Sequence, residues 1–386
     1  MEGEIMRVIH EGRLPLKIWA HTLEAGALQQ AQNLANLSFA FSHIALMPDV
    51  HEGYGMPIGG VLATAGGFII PNAVGVDIGC GVVALRTGAT TVTAHQVRQV
   101  LAGARELIPV GFKHHPRPQP WDGFAAAPPL PIIRQELNSA RRQLGTLGGG
   151  NHFCSIEKGS DGYIWLLVHS GSRNIGLKVA SFYNKLAKEI NKVKKIVPPE
   201  YDLAPLNLEN EAGEDYFTAM QFCLNFARAN RELLSIRFSE VFAAAVPAGK
   251  VEDRVEIHHN YAAREHHFGE EVVVHRKGAI RARSGERGII PGSMGTPSYI
   301  VEGLGNEESF ASASHGAGRA MSRHEANRVI TEEMANAAMQ GIVCGPWGGD
   351  YAEAPMAYKD IEAVMDSQRD LVRPLVKLTP LGVLKG

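Results

Sequence analysis

Short apolar segments that end in glycine-rich loops are the feature that most constrains how this chain can fold. The runs at 43–47, 68–70 and 82–86 are bounded by glycine or proline, which predicts strands between tight turns. Glycine occurs 42 times among the 386 residues, above the average usage of about 7%. Histidines on the loops are spread from His51 to His315. If they share one site, these distant segments must fold together as a single cooperative unit.

Helices are predicted to surround these strands. The spacing of apolar residues at 177–195 and 211–246 is helical, and 358–376 also predicts a helix. The proline-rich segment 113–140 predicts an excursion on the surface. We therefore expect an α/β (α+β) fold, in which a single large domain over 1–386 has a mixed β core flanked by helices.

Composition excludes several classes of protein. Hydrophobic residues make up 45% and charged residues 20%, which is typical of a globular chain and excludes a collagen or a disordered protein. No apolar run of about 18 residues predicts a membrane-spanning helix, and no signal-peptide pattern opens the sequence. Four cysteines are too few for a disulfide framework in 386 residues. We expect a cytoplasmic protein with no membrane partner.

Overall charge does not predict nucleic-acid binding. Lys and Arg number 38 against 40 Asp and Glu, which gives a net charge of −2. Any contact with a phosphate backbone must therefore come from a local patch of the surface.

The strongest local signal is the sequence GVDIGCG at 75–81, which contains Asp77 and Cys80. Glycines on both sides allow the backbone to turn sharply enough for the carboxylate and the thiol to converge. A thiolate is a good ligand for a soft or borderline divalent ion, and it can bridge two of them. By itself the motif is equally compatible with a buried free cysteine and an aspartate that caps a turn.

Three histidines lie at predicted junctions between strands and loops. His152 follows a glycine-rich run, His169 ends the apolar segment YIWLLVH, and His259 ends VEIHH. Any one of them fits an ordinary core or surface histidine. Together with Asp77 and Cys80 they favour a metal site, because imidazole, thiolate and carboxylate suit Zn, Mn, Fe or Co better than Mg or Ca.

His315 lies in the sequence SHGAGR, where small neighbours leave room for a ligand to approach the ring. The backbone N–H groups that follow can bind an anion, and Arg173 and Arg319 can bind phosphate oxygens. Because histidine is an accepted nucleophile, His315 is a candidate for attack on phosphorus, although spacing alone favours a plain loop histidine. The residues indicate a metal-dependent enzyme that acts on a phosphate-containing substrate.

Eight motifs follow one another in a fixed order along the chain. They are MPDVHEGYGMPIGG, VGVDIGCG, GTLGGGNHF, HSGSRNIG, HHNYA, RKGAIRAR, IIPGSMG and SHGAGRAMSR. Together they resemble the RtcB-type RNA ligases, from about residue 40 to Gly386 and least clearly in 113–140 and 340–352. The resemblance implies an RtcB-like fold and an RNA ligase that depends on GTP and Mn²⁺.

An enzyme of this family joins an RNA end with a 3′-phosphate or 2′,3′-cyclic phosphate to an end with a 5′-hydroxyl, in RNA repair or tRNA splicing. The resemblance implies that Cys80 bridges two Mn²⁺ ions, although Zn or Co would also accept these ligands. His169 and His259 would complete the ligands of one ion. Asp77 and His152 would complete those of the other.

The resemblance also implies that His315 forms a covalent guanylyl adduct with GTP and that Arg173 and Arg319 contact phosphate or RNA. The family usually has a glutamate at the position of Ser155, which would accept hydrogen bonds from guanine, whereas here Glu157 follows two residues later. This departure predicts either relaxed selectivity for GTP over ATP or another group at that edge. The residues implied for the GTP pocket are Asn151, His152, Phe153, Ser155, His259, Asn260, Pro291, Gly292, Ser293, Met294, Ser298, His315, Gly316, Ala317, Gly318, Tyr358 and Lys385.

The expected partners are RNAs with broken ends, such as tRNA or rRNA fragments, and no DNA. The sequence specifies neither a helper protein for turnover, nor the oligomeric state, nor the native metal. One alternative is a metal-dependent phosphodiesterase or phosphatase that acts on RNA ends without ligation and has no need for His315. A second is a non-catalytic RNA-binding relative, which the full set of ligand residues disfavours.

Overall fold

The computed structural model describes residues 6–386, and within this range strands and helices of very different length alternate. The strands are β1 (Arg7–Ile9), β2 (Leu16–Ile18), β3 (Ala40–His51), β4 (Ile58–Thr64), β5 (Phe68–Ile69), β6 (Gly81–Thr87), β7 (Phe153–Gly159), β8 (Ile164–Ser170), β9 (Leu206–Asn207), β10 (Val251–His258), β11 (Asn260–His267), β12 (Glu270–Lys277), β13 (Ala279–Arg281), β14 (Arg287–Ile290), β15 (Ser298–Gly303), β16 (Ser312–Ser314) and β17 (Val372–Lys385). The α-helices are α1 (Ala25–Ala35), α2 (Pro71–Val74), α3 (Ala94–Leu107), α4 (Pro131–Gln143), α5 (Arg173–Lys194), α6 (Glu211–Ala245), α7 (Arg323–Val329), α8 (Glu332–Ala338) and α9 (Ile361–Asp366).

Two large sheets form the centre of the fold. A six-stranded sheet has the order β1–β2–β3–β4–β12–β11, and a seven-stranded sheet has the order β10–β6–β8–β7–β17–β15–β14. Strands β2 and β3 are parallel, whereas the central pairs of the seven-stranded sheet are antiparallel. The predicted mixed α/β fold with a β core is confirmed.

The two sheets pack face to face, and helices cover their outer faces. In β6, Val82 and Ala84 point into the core between the sheets, whereas Val83 and Leu85 pack with residues of α3 and α6. Strand β3 alternates in the same way between that core and α1. Because both faces are buried, these strands have the nearly continuous apolar sequences seen at 43–47 and 82–86.

Antiparallel register brings several distant segments to one end of the seven-stranded sheet. His169, near the end of β8, pairs with Val82 at the start of β6 and with Phe153 at the start of β7. Lys385, at the end of β17, also pairs with Phe153. Where one antiparallel strand ends, its neighbour begins. The loops that carry the predicted ligands therefore meet at the same end of the sheet.

Helix α6 is the longest, with 35 residues. It packs with α3 on the seven-stranded sheet, and with α4 and α5 in a separate apolar cluster. No helix between residues 6 and 386 combines the length and the hydrophobicity that a membrane crossing requires. The single domain over 1–386 stays a prediction.

Two segments differ from what the sequence pattern predicts. In 113–140 the first residues are mostly exposed, but the second part forms α4, whose Ile132 and Ile133 are buried. Pro131 occupies the start of that helix, where its missing N–H costs nothing. In 358–376 the helix is limited to α9, because β17 begins at Val372 and pairs with β7 and β15. Tertiary pairing overrides the local helical pattern at that point.

Candidate active site

A cavity of about 710 Å³ opens where the ends of the two sheets meet. Among the predicted site residues, Ser298 and Arg173 are absent from its lining. The predicted residues that line it are Asp77, Cys80, Asn151, His152, Phe153, Ser155, His169, His259, Asn260, Pro291, Gly292, Ser293, Met294, His315, Gly316, Ala317, Gly318, Arg319, Tyr358 and Lys385. Residues that are far apart in the sequence thus line one cavity.

Four of the predicted metal ligands converge in this cavity. The Sγ atom of Cys80 lies 3.4 Å from Nε2 of His152 and 3.3 Å from Nε2 of His169. The same Nε2 atom of His152 lies 3.1 Å from Oδ2 of Asp77. Among the described residues, Cys80, His152 and His169 form a group whose ligand atoms all lie within 4.8 Å of one another. One cation can therefore be reached by all three.

Backbone carbonyls fix the orientation of two of the imidazoles. Nδ1 of His152 lies 2.9 Å from the carbonyl oxygen of Leu147, and Nδ1 of His169 lies 3.0 Å from that of Asn151. These partners accept a hydrogen bond, so they assign the proton to Nδ1 in each ring. The Nε2 lone pairs then face Cys80, which is the arrangement of metal-binding histidines in proteins.

We call Asp77, Cys80, His152 and His169 the donor group, because they offer ligand atoms to a metal. His259 contacts both this group and His315. Its ring is edge-on to that of His169, with centroids 5.2 Å apart, and to that of His315, with centroids 4.9 Å apart. His259 is buried, and its Nδ1 atom has no hydrogen-bond partner among the described residues. A buried nitrogen without a partner is costly, and ligation would remove that cost.

The electrostatics of the donor group fit a cation. Burial lowers the pKa of His169 and of His259 well below the usual range, so both imidazoles are neutral. Burial opposes ionisation of Asp77, but the hydrogen bond and positive charge of a protonated His152 outweigh that effect and lower its pKa to about 2. A metal ion at Nε2 of His152 would take the place of that proton. Burial raises the pKa of Cys80, so a thiolate at this position requires a positive charge beside it. The set of donors fits a soft or borderline divalent ion.

A buried arginine supports the loop that carries Asp77 and Cys80. Nη1 of Arg231, on α6, donates to the carbonyl oxygens of Gly79 at 2.7 Å and Ser170 at 3.0 Å. Its Nη2 lies 3.0 Å from a carboxylate oxygen of Glu256. Gly79 has φ 74°, and a Cβ there would lie 2.9 Å from the side chain of Ala227, so the turn requires glycine. No motif in the sequence identified Arg231.

His315 is held by a buried carboxylate from the other sheet. Its Nδ1 lies 2.6 Å from Oδ2 of Asp49, which also accepts the backbone N–H groups of His315 at 3.0 Å and Gly316 at 3.3 Å. Burial opposes ionisation of Asp49, but the charge and hydrogen bond of His315 outweigh it and lower its pKa. In the neutral imidazole, Asp49 fixes the proton on Nδ1 and leaves the Nε2 lone pair available. The sequence analysis did not assign a role to Asp49, although it lies within the first of the eight motifs.

Glu157 lies next to Ser155 on the same side of β7. The hydroxyl of Ser155 donates to Oε1 of Glu157 at 2.7 Å, and that of Ser298 lies 3.4 Å from the same oxygen. Glu157 is buried and lines the cavity, and its Oε2 atom has no partner among the described residues. Burial raises its pKa to about 7. Glu157 thus supplies the cavity with a carboxyl group even though position 155 is serine. Ser298 contacts that carboxyl group without lining the cavity.

The two predicted phosphate-binding arginines are largely engaged with the protein. Nε of Arg319 donates to the carbonyl oxygen of Met321 at 3.0 Å, and its Nη2 donates to that of Ala352 at 2.7 Å. Nε of Arg173 lies 3.4 Å from the hydroxyl oxygen of Thr146, and Arg173 is not among the residues that line the cavity. Both side chains brace the walls of the site, and their contact with phosphate or RNA stays a prediction.

Comparison with known proteins agrees with this geometry. The sequence model of the family described as "tRNA-splicing ligase RtcB" matches residues 30–128 and 122–386. The RNA-splicing ligase RtcB of Escherichia coli K12 is 40% identical, over 96% of this chain and 97% of its own length. The tRNA-splicing ligase RtcB of Thermococcus kodakarensis is 32% identical, over 93% and 91%. The RNA-splicing ligase RtcB of Mycobacterium tuberculosis is 31% identical, over 92% and 100%. The resemblance of the eight motifs is confirmed.

Proposed function

The chain belongs to the RtcB family of RNA-splicing ligases, and from this premise we propose that it joins RNA ends through a guanylyl group carried on His315. One end has a 3′-phosphate or a 2′,3′-cyclic phosphate, and the other has a 5′-hydroxyl. The substrates are broken RNAs such as tRNA or rRNA fragments. The observation that supports this best is the hydrogen bond between His315 and Asp49. The ring centroid of His315 lies 4.9 Å from that of the candidate metal ligand His259.

The hydrogen bond between Asp49 and His315 holds the imidazole in the tautomer that a nucleophile requires, with the proton on Nδ1. Asp49 accepts a hydrogen bond from Nδ1–H of His315, so the Nε2 lone pair of His315 attacks the α-phosphorus of GTP. A P–N bond forms, the bond to pyrophosphate breaks, and the positive charge on the imidazole is balanced by the Asp49 carboxylate at 2.6 Å. The geometry thus assigns Asp49 as the residue that positions and stabilises the adduct.

Two divalent ions, expected to be Mn²⁺, would supply positive charge beside the phosphate oxygens. On this proposal Cys80 would be a ligand to both ions. His169 and His259 would hold one ion with it, and Asp77 and His152 would hold the other. Zn or Co would also accept these donors.

The later steps move the guanylyl group from protein to RNA. Water first opens a cyclic phosphate to a 3′-phosphate. An oxygen of that phosphate attacks the phosphorus on His315, which breaks the P–N bond and produces an activated RNA end. The 5′-hydroxyl then attacks the activated phosphate, a phosphodiester forms, and GMP leaves with the electron pair. Holding both ends in one cavity removes much of the entropic barrier.

Recognition of the base is assigned to Glu157 rather than to Ser155. The unpartnered Oε2 of Glu157 can accept a hydrogen bond from the N–H edge of guanine. Ser155 and Ser298 hold the other oxygen of the same carboxyl group. On this assignment the protein keeps a preference for GTP over ATP although position 155 is serine.

A labelling experiment tests the proposal. The full chain is incubated with α-labelled GTP and Mn²⁺ and then denatured, and the protein band is examined for label. We expect label on the wild type, none on His315→Ala, and full label on His95→Ala, which removes an exposed histidine on α3. A wild type that stays unlabelled yet removes phosphates from RNA ends would contradict ligation and indicate the phosphodiesterase alternative.

A further inference from the structure

Tyr54 is a large aromatic residue that is left open at the mouth of the cavity. It lies in the loop between β3 and β4, lines the cavity and is 79% exposed. Val76, which precedes the candidate ligand Asp77, lines the same cavity and is 52% exposed. Both side chains are open to a ligand that enters the cavity.

The backbone beneath Tyr54 is firmly held. Its carbonyl oxygen accepts hydrogen bonds from Nζ of Lys277 at 2.6 Å and from the N–H of Met56 at 2.8 Å. Gly55 has φ 68°, and a Cβ there would lie 2.5 Å from the carbonyl oxygen of Asp202. The loop is therefore fixed between two other segments, and a ligand can contact the ring without first ordering the loop.

The charges around Tyr54 select the part of an RNA that would fit there. Lys277 also lines the cavity, but its Nζ donates to the carbonyl oxygens of Tyr54 and Asn72. Glu24 and Glu52 line the cavity with Tyr54. Their carboxylates repel a phosphate, whereas the uncharged face of a nucleobase carries no such penalty. An exposed aromatic ring is the surface on which unpaired bases stack, whatever their sequence.

We propose that Tyr54 is a stacking platform for the terminal nucleobase of an RNA end held in the cavity. The platform rests on the proposed function, because it requires that broken RNA ends enter this cavity. It adds a contact to the base next to the reacting phosphate or hydroxyl, and it orients that end toward the donor group and His315.

The test measures stacking directly, in the presence of Mn²⁺ and without GTP, so that no ligation occurs. One short RNA carries 2-aminopurine at its 3′-phosphorylated terminal nucleotide, and a second carries it at its 5′-hydroxyl terminus. We expect the wild type to quench the fluorescence of at least one probe. Tyr54→Ala should abolish that quenching and weaken binding roughly 5- to 100-fold, and the probe affected identifies the end that stacks.

Two controls isolate the role of the ring. Tyr54→Phe keeps the aromatic face and should bind and quench as the wild type does. Phe112→Ala removes a fully exposed ring that does not line the cavity and should leave both measurements unchanged. An RNA with an abasic terminal nucleotide should bind wild type and Tyr54→Ala equally.

Failure of the platform and failure of the proposed function give different results. If Tyr54→Ala binds and quenches both probes as the wild type does, the platform is wrong, whether or not guanylylation occurs. If the wild type forms no His315 adduct with GTP, the ligation mechanism is wrong, whatever the probes show. Guanylylation itself needs no RNA and should be unchanged in Tyr54→Ala.

Discussion

Two parts of the cavity are built in different ways: the metal-ligand half, formed by the proposed ligands Asp77, Cys80, His152, His169 and His259, and the nucleophile half, formed by the proposed nucleophile His315 and Asp49. The imidazoles of His152 and His169 are oriented by backbone carbonyls at the ends of the seven-stranded sheet. The imidazole of His315 is oriented by one side chain, Asp49, which comes from β3 in the six-stranded sheet. A backbone partner survives most substitutions, whereas a side-chain partner is lost with a single one. The orientation of His315 can therefore be lost through a single substitution, at Asp49.

The largest expected effect comes from breaking the metal-ligand half. Cys80→Ala removes the sulfur that lies within 3.4 Å of His152 and 3.3 Å of His169. We expect metal affinity to fall by at least about 100-fold and adduct formation by roughly 10³-fold or more. Metal content after purification and the rate of GTP labelling measure the two effects.

A second cysteine provides the matched control for this variant. Cys154 is buried on β7 but belongs to the apolar cluster behind the sheet rather than to the cavity. Cys154→Ala should keep its metal and its labelling. Full metal content in Cys80→Ala would contradict the assignment of Cys80 as the shared ligand.

The second prediction breaks the nucleophile half alone. Asp49→Asn keeps the shape of the side chain but no longer fixes the Nδ1 proton of His315 or compensates its charge. We expect guanylylation to slow roughly 10²- to 10⁴-fold while metal content stays at the wild-type level. Single-turnover labelling and metal analysis on the same sample check this. Loss of metal together with activity would show that the two halves are not independent.

The smallest expected effect concerns Glu157, which belongs to neither half. Its pKa of about 7 lies above the ordinary 4.5, so between these values the folded protein binds a proton that the unfolded chain has lost. The contribution of Glu157 to stability is therefore highest below about pH 4.5 and falls as pH rises toward 7. Glu157→Gln should remove this slope and raise the free energy of unfolding at pH 8 by roughly 2–3 kcal/mol. Denaturant unfolding across this pH range measures it.

The same variant sharpens the assignment of base recognition. If Glu157 reads the guanine edge, Glu157→Gln should lower the preference for GTP over ATP by about tenfold or more, because a charged hydrogen bond is lost. Glu209→Gln, an exposed glutamate before α6, should change neither selectivity nor the pH profile. A wild type labelled equally by ATP and GTP would contradict the role of Glu157.

Much of the metal-ligand half was predictable from local sequence. Asp77 and Cys80 lie in one glycine-flanked turn. His152 directly precedes β7, His169 is near the end of β8, and His259 directly follows β10, so the residue types and their places beside strand ends could be predicted from the sequence. The central strands were also predictable, because their apolar runs are bounded by glycine or proline.

The less predictable parts depend on contacts between distant segments. The partner of His315 lies 266 residues away, and nothing near His315 in the sequence indicates it. Strand β17 lies where a helix was predicted for 372–376, because pairing with β7 and β15 outweighs local propensity. Arg231 reaches Gly79 from the middle of a long helix, a position that carries no motif.

The sequence by itself determined which donor atoms this protein can offer and which turns present them, because side-chain chemistry and glycine's backbone freedom are local properties. The tertiary structure alone decided that Asp49 fixes the tautomer of His315, that Glu157 is a buried carboxyl with a free oxygen, and that Tyr54 stands open at the mouth. Burial and hydrogen-bond partners arise only when the two sheets and the last strand come together, and these non-local contacts turn a list of ligands into an active site.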